Sequence, residues 1–392
     1  MLRVSKLIQV ALILKCVYPP TLALNTGQNL GALIQAQVMH RHGDRNPTSV
    51  YPTDPYGDEA FWPDGFGELT ELGREQLYNL GVFLRQRYDK LLQKHYNKSE
   101  ITVTSSCKDR AIMSAQAALA GLYQPENGTK SWNPYINWQL VPIHTIPRSN
   151  DSFLHLKAPC PKYSRDFKEF YSTSEYVRKL EAEHMPMIKY FRFHMGLPDD
   201  TTLQKLLTYQ DTLMIQKQRG MKLPAWFNQT MFEELSSLKY LRFELDTYTP
   251  EFKRLRGGPI LKELLGNMPN KNKQAKNVYL YSAHKSALGA LMNTLGIFNH
   301  LLPPYASALM FELYQTNPEN FDNNYFLRIY YYNETQSQPY LLEIPHCGQT
   351  CSLKHFSSLT HRYVPENWLQ ECELPVLDHV TEETSTVAIT LI

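Results

Sequence analysis

The chain has 392 residues, of which 43% are hydrophobic, 12% aromatic and 20% charged. That is ordinary globular composition, with length for a large core and one or two domains. A formal net charge of +2 sets aside the strongly basic classes that bind nucleic acid or membrane surfaces. No stretch after the N-terminus approaches the ~18 apolar residues of a transmembrane segment, and the tail "STVAITLI" (385–392) is too short.

In chain order, Arg3 and Lys6 precede the apolar run "LIQVALIL" (7–14), and the small-residue stretch "TLA" (21–23) follows. That order predicts a secretory signal peptide over 1–24, although Lys15 shortens the apolar region. "ALIQAQVM" (32–39) reads as a buried strand leading into "HRHGDRNP" (40–47). "GELTELGREQLYNLGVFLRQRY" (67–88) carries Leu77, Leu80, Leu84 and Tyr88 at helical spacing, with Thr70 a candidate N-cap. "ITVT" (101–104) is a β-branched strand. Ser105 and Ser106 could cap the helix 109–123, on which Ile112, Ala115, Leu119 and Leu122 share a face. "NVYLYSAH" (277–284) repeats the strand pattern, and its helix, with Leu288, Leu291, Met292 and Leu295 on one face, ends at Gly296.

Three strand-then-helix units predict an α/β fold around a mostly parallel, doubly wound sheet. From about 160 to 255 the chain is helix-like, aromatic and charged, which predicts a helical cap inserted into that domain. The expected organisation is an α/β domain over 25–155 and 256–380, a cap over 156–255 and a tail over 381–392. Pockets in such folds lie at the C-terminal ends of the strands, so 40–48, 104–110 and 282–286 are the places to look.

Export agrees with five N-x-S/T sequons, at Asn97, Asn127, Asn150, Asn228 and Asn333. Behind the leader, which holds Cys16, lie Cys107, Cys160, Cys347, Cys351 and Cys372. Five is odd, so at least one thiol stays free or pairs elsewhere. In an exported chain "HCGQTCS" (346–352) suits a small disulfide loop better than a metal knuckle. The 13 histidines show no spacing that gathers metal ligands on one element, so no metal or other cofactor is expected.

"RHGDRNP" places Arg41, His42 and Arg45 within five positions of a strand end, with Gly43 allowing close backbone approach. Guanidinium forks bind phosphate oxygens in pairs, and an imidazole among them can attack phosphorus. Five fixed residue types in R-H-G-x-R-x-P should arise by chance in on the order of one in ten thousand chains of this length. At the third strand end, "YSAHKS" (281–286) puts His284 and Lys285 at a helix start. A helix start favours an anion and disfavours a cation, so Lys285 is an electrostatic anomaly.

"VMHRHGDRNP" resembles the signature of the histidine acid phosphatases, in the branch of the prostatic and lysosomal enzymes. The resemblance continues through 66–88, "DRAIMSA" (109–115), "LPPYASALMFELY" (302–314) and "HCGQTCSLKHF" (346–356). It implies an α/β domain with a helical cap, and hydrolysis of small-molecule or phosphoprotein phosphomonoesters at acid pH, without metal. In that pattern His42 matches the phosphohistidine nucleophile. Arg41, Arg45 and His284 match phosphate ligands. Cys160 with Cys372 and Cys347 with Cys351 match two disulfides, while Ala308 stands where a third bridge would need a cysteine. The resemblance admits a homodimer, which no residue here decides. It is compatible with secretion and with residence in the lysosomal lumen.

Two positions depart from that pattern. Lys285 stands where the family has the aspartic acid that protonates the leaving alkoxide, and Thr104 stands where it has a phosphate-binding arginine. Arg110, in "DR", then reads as a structural ion pair at a helix start. A general acid is typically worth 10²–10⁴ in rate, and one lost arginine about 2–4 kcal/mol. A phosphatase of reduced efficiency is therefore expected. The alternative is an inactive pseudophosphatase that binds phosphate esters or a protein. Lys285 has three readings: a cation of the phosphate site, a replacement proton donor at that position, or a side chain turned out to solvent.

Overall fold

A computed structural model describes residues 31–125, 132–133, 135–136, 138–268, 275–316, 325–333 and 338–375. The proposed leader 1–24, Cys16, Asn127 and the tail 381–392 lie outside these residues. In the α/β part, β1 (Ala32–Arg41) is followed by α1 (Glu71–Arg87), β2 (Ile101–Ser106), α2 (Asp109–Leu122) and β3 (His144–Ile146). Eight helices come next. They are α3 (Pro161–Thr173), α4 (Glu175–Glu183), α5 (Met185–Met195), α6 (Leu203–Gln218), α7 (Gln229–Ser237), α8 (Leu241–Asp246), α9 (Pro250–Arg256) and α10 (Gly258–Gly266). The chain returns to the sheet with β4 (Val278–Ala283), α11 (Lys285–Leu295), β5 (Ala308–Gln315), β6 (Tyr325–Tyr332), β7 (Tyr340–Leu341) and β8 (Cys351–Ser352), then closes with α12 (Leu353–Thr360) and α13 (Trp368–Glu371).

The strand order is β3-β2-β4-β1-β5-β6-β7, with β8 also on β6. The first four strands run parallel. β5 to β8 continue the sheet antiparallel, an extension the hydrophobic pattern did not announce. Alternation along β1 shows why the sheet is covered on both faces. Val38 joins Leu77, Leu80 and Leu84 of α1 and Ala118 and Leu119 of α2. The next residue, Met39, joins Ile260 and Leu264 of α10, Leu288 of α11 and Phe356 of α12. A strand with period-2 side chains and apolar residues at successive positions needs a helical layer on each side.

Helix ends follow local chemistry. The Thr70 hydroxyl accepts from Gly73 N, as its position predicts. Gly296, with φ 71°, supplies the left-handed cap that ends α11. The expected serine cap of α2 is corrected: Ser105 and Ser106 complete β2, and the N-cap is Lys108, with no side-chain hydrogen bond. Ser106 is needed elsewhere, as the site shows.

The helical insert has its own apolar core, in which Met187, Phe191, Leu206, Leu213 and Leu235 surround Tyr51. It is tied to the loop after β1 by Arg219–Asp44 (3.3 Å) and by Gln216 Nε2 donating to Asp54. Both disulfides join the expected pairs, Cys160–Cys372 and Cys347–Cys351, and Cys107 is a free thiol. Cys160–Cys372 closes a loop with sequence separation 212. Replacing both cysteines with alanine should cost about 2–5 kcal/mol of unfolding free energy, measured by urea titration. A loss below about 0.5 kcal/mol would show that packing around Leu255 and Trp368 already holds that seam.

Candidate active site

His42 sits just past β1, 2% exposed. Its amide donates to Ala283 O (3.1 Å) at the end of β4, and its carbonyl accepts from Ala306 N (3.3 Å) before β5. Three chain segments thus fix one residue. The ring nitrogen Nδ1 lies 2.8 Å from Gly43 O. A carbonyl can only accept, so Nδ1 carries the proton and Nε2 keeps its lone pair. Burial, then the neighbouring Arg41, His284, Arg110 and Arg45, hold the imidazole pKa well below its ordinary value. That shift favours the neutral ring over the protonated one. Gly43 permits this fit, because a Cβ there would lie 2.2 Å from Gly73 O in α1.

Arg41 is 2% exposed. Its guanidinium carbon lies 3.8 Å from the Tyr305 ring centroid, and Nη1 donates to Pro303 O (2.7 Å). Arg45 donates from Nη1 to Asn46 O (2.8 Å) and from Nη2 to Asp211 Oδ2 (3.0 Å). Arg110 corrects the sequence reading. Among the described residues it forms no ion pair, its hydrogen bond runs from Nη1 to Gly67 O (3.4 Å), and it lines the same cavity as His42, Arg45 and His284. Burial first, then Arg45 and Arg41, push its pKa down to about 10, so it stays charged at acid pH. Thr104 pairs with His144 and Tyr281 within the sheet, two residues before Ser106 at the strand end. That is roughly 6.6 Å upstream, and Thr104 is not among the cavity-lining residues. The Nε atoms of Arg41, Arg45 and Arg110 are buried without an acceptor among the described residues. Such donors are costly unless an oxygen-rich ligand meets them.

At the third strand end, His284 is the N-cap of α11. Its Nε2 lies 2.8 Å from Ser106 Oγ, and its ring centroid lies 5.3 Å from that of His42 and 4.3 Å from that of His155. Lys285 does not turn to solvent. It lines the cavity, and its Nζ is bonded to Asp211 Oδ2. Asp211, on α6 of the insert, thus bridges Lys285 and Arg45 and supplies the negative charge that the start of α11 favours. Burial pushes the Lys285 pKa down to about 8, with Asp211 opposing that shift and Arg41 and Arg45 adding to it. Burial alone would raise the Asp211 carboxyl, but Lys285, Arg45 and Arg41 hold it well below the usual carboxylate range. Between the two, the lysine carries the proton.

Asp211 was missed from sequence. Its signal was faint: an acidic residue four positions after Leu207 and four before Ile215, both buried on α6. The cavity encloses about 200 Å³. Among the proposed glycosylation sites, Asn150 and Asn228 are exposed, while Asn97 and Asn333 are partly buried.

Several cations around one imidazole suit phosphoryl transfer, in which positioned positive charge does most of the work. The α/β sheet and this site fit a phosphomonoester hydrolase. The chain belongs to the Histidine phosphatase superfamily (branch 2), whose family model matches residues 32–332. It is 38% identical over 343 residues to the Homo sapiens lysosomal acid phosphatase, covering 86% of this chain and 79% of that protein. Against the Homo sapiens prostatic acid phosphatase it is 36% identical over 355 residues, covering 89% and 90% respectively. In fold it is similar to the Hafnia alvei phytase solved with myo-inositol hexakis sulphate. That match has a TM-score of 0.63 and 19% identity, and it covers 88% of this chain and 98% of the phytase.

Proposed function

We propose that the chain hydrolyses phosphomonoesters through a covalent phosphohistidine at His42, with Arg41, Arg45, Arg110 and His284 holding the phosphoryl group. The observation that carries this reading is the His42 Nδ1 contact with Gly43 O, which leaves Nε2 as a free nucleophile among guanidinium groups. Nε2 attacks phosphorus, and the N–P bond forms as the P–O bond to the leaving group breaks. The released oxygen takes a proton from the Lys285 ammonium. Water then attacks the phosphohistidine and gives a proton back to the Lys285 amine. Inorganic phosphate leaves, and His42 regains its lone pair. If the Ser106 hydroxyl donates to His284 Nε2, His284 Nδ1–H is available to a phosphate oxygen.

With Arg110 in the cavity, the deficit expected from Thr104 falls away, and the departure that remains is at the proton donor. Lysine at pKa about 8 is a weaker acid than a carboxyl group in the acid range, so turnover is limited at leaving-group departure. One observation favours the pseudophosphatase reading instead. The Asp211 carboxylate already occupies Arg45 and Lys285 and competes with phosphate for both.

Arg110→Ala should lower kcat/KM for p-nitrophenyl phosphate at pH 5 by about 30- to 1,000-fold, the rate equivalent of roughly 2–4 kcal/mol. Thr104→Ala should change it less than threefold. The reverse ranking would return the missing phosphate ligand to position 104. No hydrolysis by the wild type of any aryl or alkyl ester between pH 4 and 7 would favour the pseudophosphatase.

The insert 156–255 reads as a cap, since Asp211, Arg242 and Asp246 reach the cavity wall from it. The two disulfides, with relatives named lysosomal and prostatic, support an oxidising setting, either the lysosomal lumen or outside the cell.

A further inference from the structure

Beyond His155, the cavity that holds His42 has a second set of cations that the hydrolytic steps above do not use. Lys157, Lys239, Arg242 and Arg256 line it, opposed by Asp246. They come from different places: the loop after β3, the turn before α8, α8 itself and the end of α9. Among the described residues, no carboxylate pairs with Lys157, Lys239 or Arg242. Arg256 donates to Leu156 O (2.8 Å), and its Nε is buried without an acceptor. Some basic residues elsewhere on the insert are paired: Arg165 with Glu373, Arg254 with Glu371, and Lys162 with Asp166 and Glu251. The distal four differ in that they share one cavity wall. Like charges held together disfavour one another, and an anionic ligand is what would relieve them.

The spacing suits one elongated ligand. The His155 ring lies 4.3 Å from that of His284, and Lys157 is two residues further on, at most about 7 Å of chain. We propose that Lys157, Lys239, Arg242 and Arg256 form a distal anion subsite, and that the preferred substrates are phosphomonoesters whose leaving group carries a second phosphate or a carboxylate. The inference rests on the hydrolase reading of the same cavity. The phosphoryl group to be transferred sits on Arg41, Arg45 and Arg110, and the second anion sits on the distal cations. Burial, together with Arg242 and Arg256, depresses the Lys157 pKa, as expected for a cation placed among others.

Two matched pairs test this: fructose 6-phosphate against fructose 1,6-bisphosphate, and glycerol 3-phosphate against 3-phosphoglycerate. The wild type should favour the doubly anionic member by tenfold or more in kcat/KM, mostly through KM. The double variant Lys157→Gln/Arg242→Gln should bring the ratio to about two or less, and Lys157→Arg/Arg242→Lys should keep it. Preference in the bisphosphate pair alone would assign the subsite to phosphoryl groups; preference in both pairs would assign it to anions in general. A wild-type ratio near one, or a ratio unchanged in the glutamine variant, overturns the proposal. Should the double variant fail to fold, Lys157→Gln alone must still lower the ratio severalfold. Calorimetry of both fructose phosphates on His42→Ala separates the two readings. Tighter bisphosphate binding without wild-type turnover would keep the subsite and remove the hydrolase; turnover without preference would do the opposite.

Discussion

Lys285→Met should slow hydrolysis of an alkyl phosphomonoester such as glycerol 2-phosphate by about 10²- to 10³-fold, while p-nitrophenyl phosphate slows less than tenfold. The difference lies in the leaving group. An alkoxide must be protonated as it departs, whereas p-nitrophenolate is stable without a proton, so only the alkyl ester depends on a general acid. Lys285 is the protonated member of the pair with Asp211, and its pKa of about 8 fixes the sign of the pH effect. Below pH 8 the ammonium is present and the alkyl rate is sustained. As pH rises through 8 the donor is lost, and the alkyl rate falls more steeply than the aryl rate. The steeper limb should vanish in Lys285→Met. In Lys285→Asp, the introduced carboxyl faces Asp211, and two carboxylates sharing a site raise the pKa of one of them. Alkyl turnover at pH 4–5 should then rise above wild type. Equal losses on aryl and alkyl esters in Lys285→Met would show that the lysine binds phosphate and does not donate a proton.

His42→Ala should lower turnover of every phosphomonoester by at least about 10⁴-fold, because the groups of a covalent mechanism act as a unit and fail together. Binding of inorganic phosphate should weaken far less, since Arg41, Arg45 and Arg110 remain; isothermal calorimetry with phosphate checks this. Residual wild-type-like turnover would mean that water attacks directly and that His42 serves only to orient phosphate.

The sheet strands and the helix faces were legible because burial imposes its period on the sequence. Val38 and Met39 face opposite helical layers, and Leu77, Leu80 and Leu84 lie on the buried stripe of α1. His42 was legible because the whole motif sits on one turn. Asp211 was not, because its contact with Arg45 spans 166 residues and depends on how the insert folds back over the sheet. Arg110 was misread for a related reason. Charge at a helix start says whether a cation is comfortable there, while only the packing of α2 against the sheet says which way it points. Lys285 carried both kinds of information. Its oddness was visible in sequence, and the carboxylate that resolves it comes from α6.

The most direct test of the phosphohistidine is an alkaline rapid quench of the wild type turning over 32P-labelled p-nitrophenyl phosphate, followed by peptide mapping. Label on the peptide containing His42, absent in His42→Ala, is the predicted result. Sustained turnover with no label, or label on another residue, would contradict it.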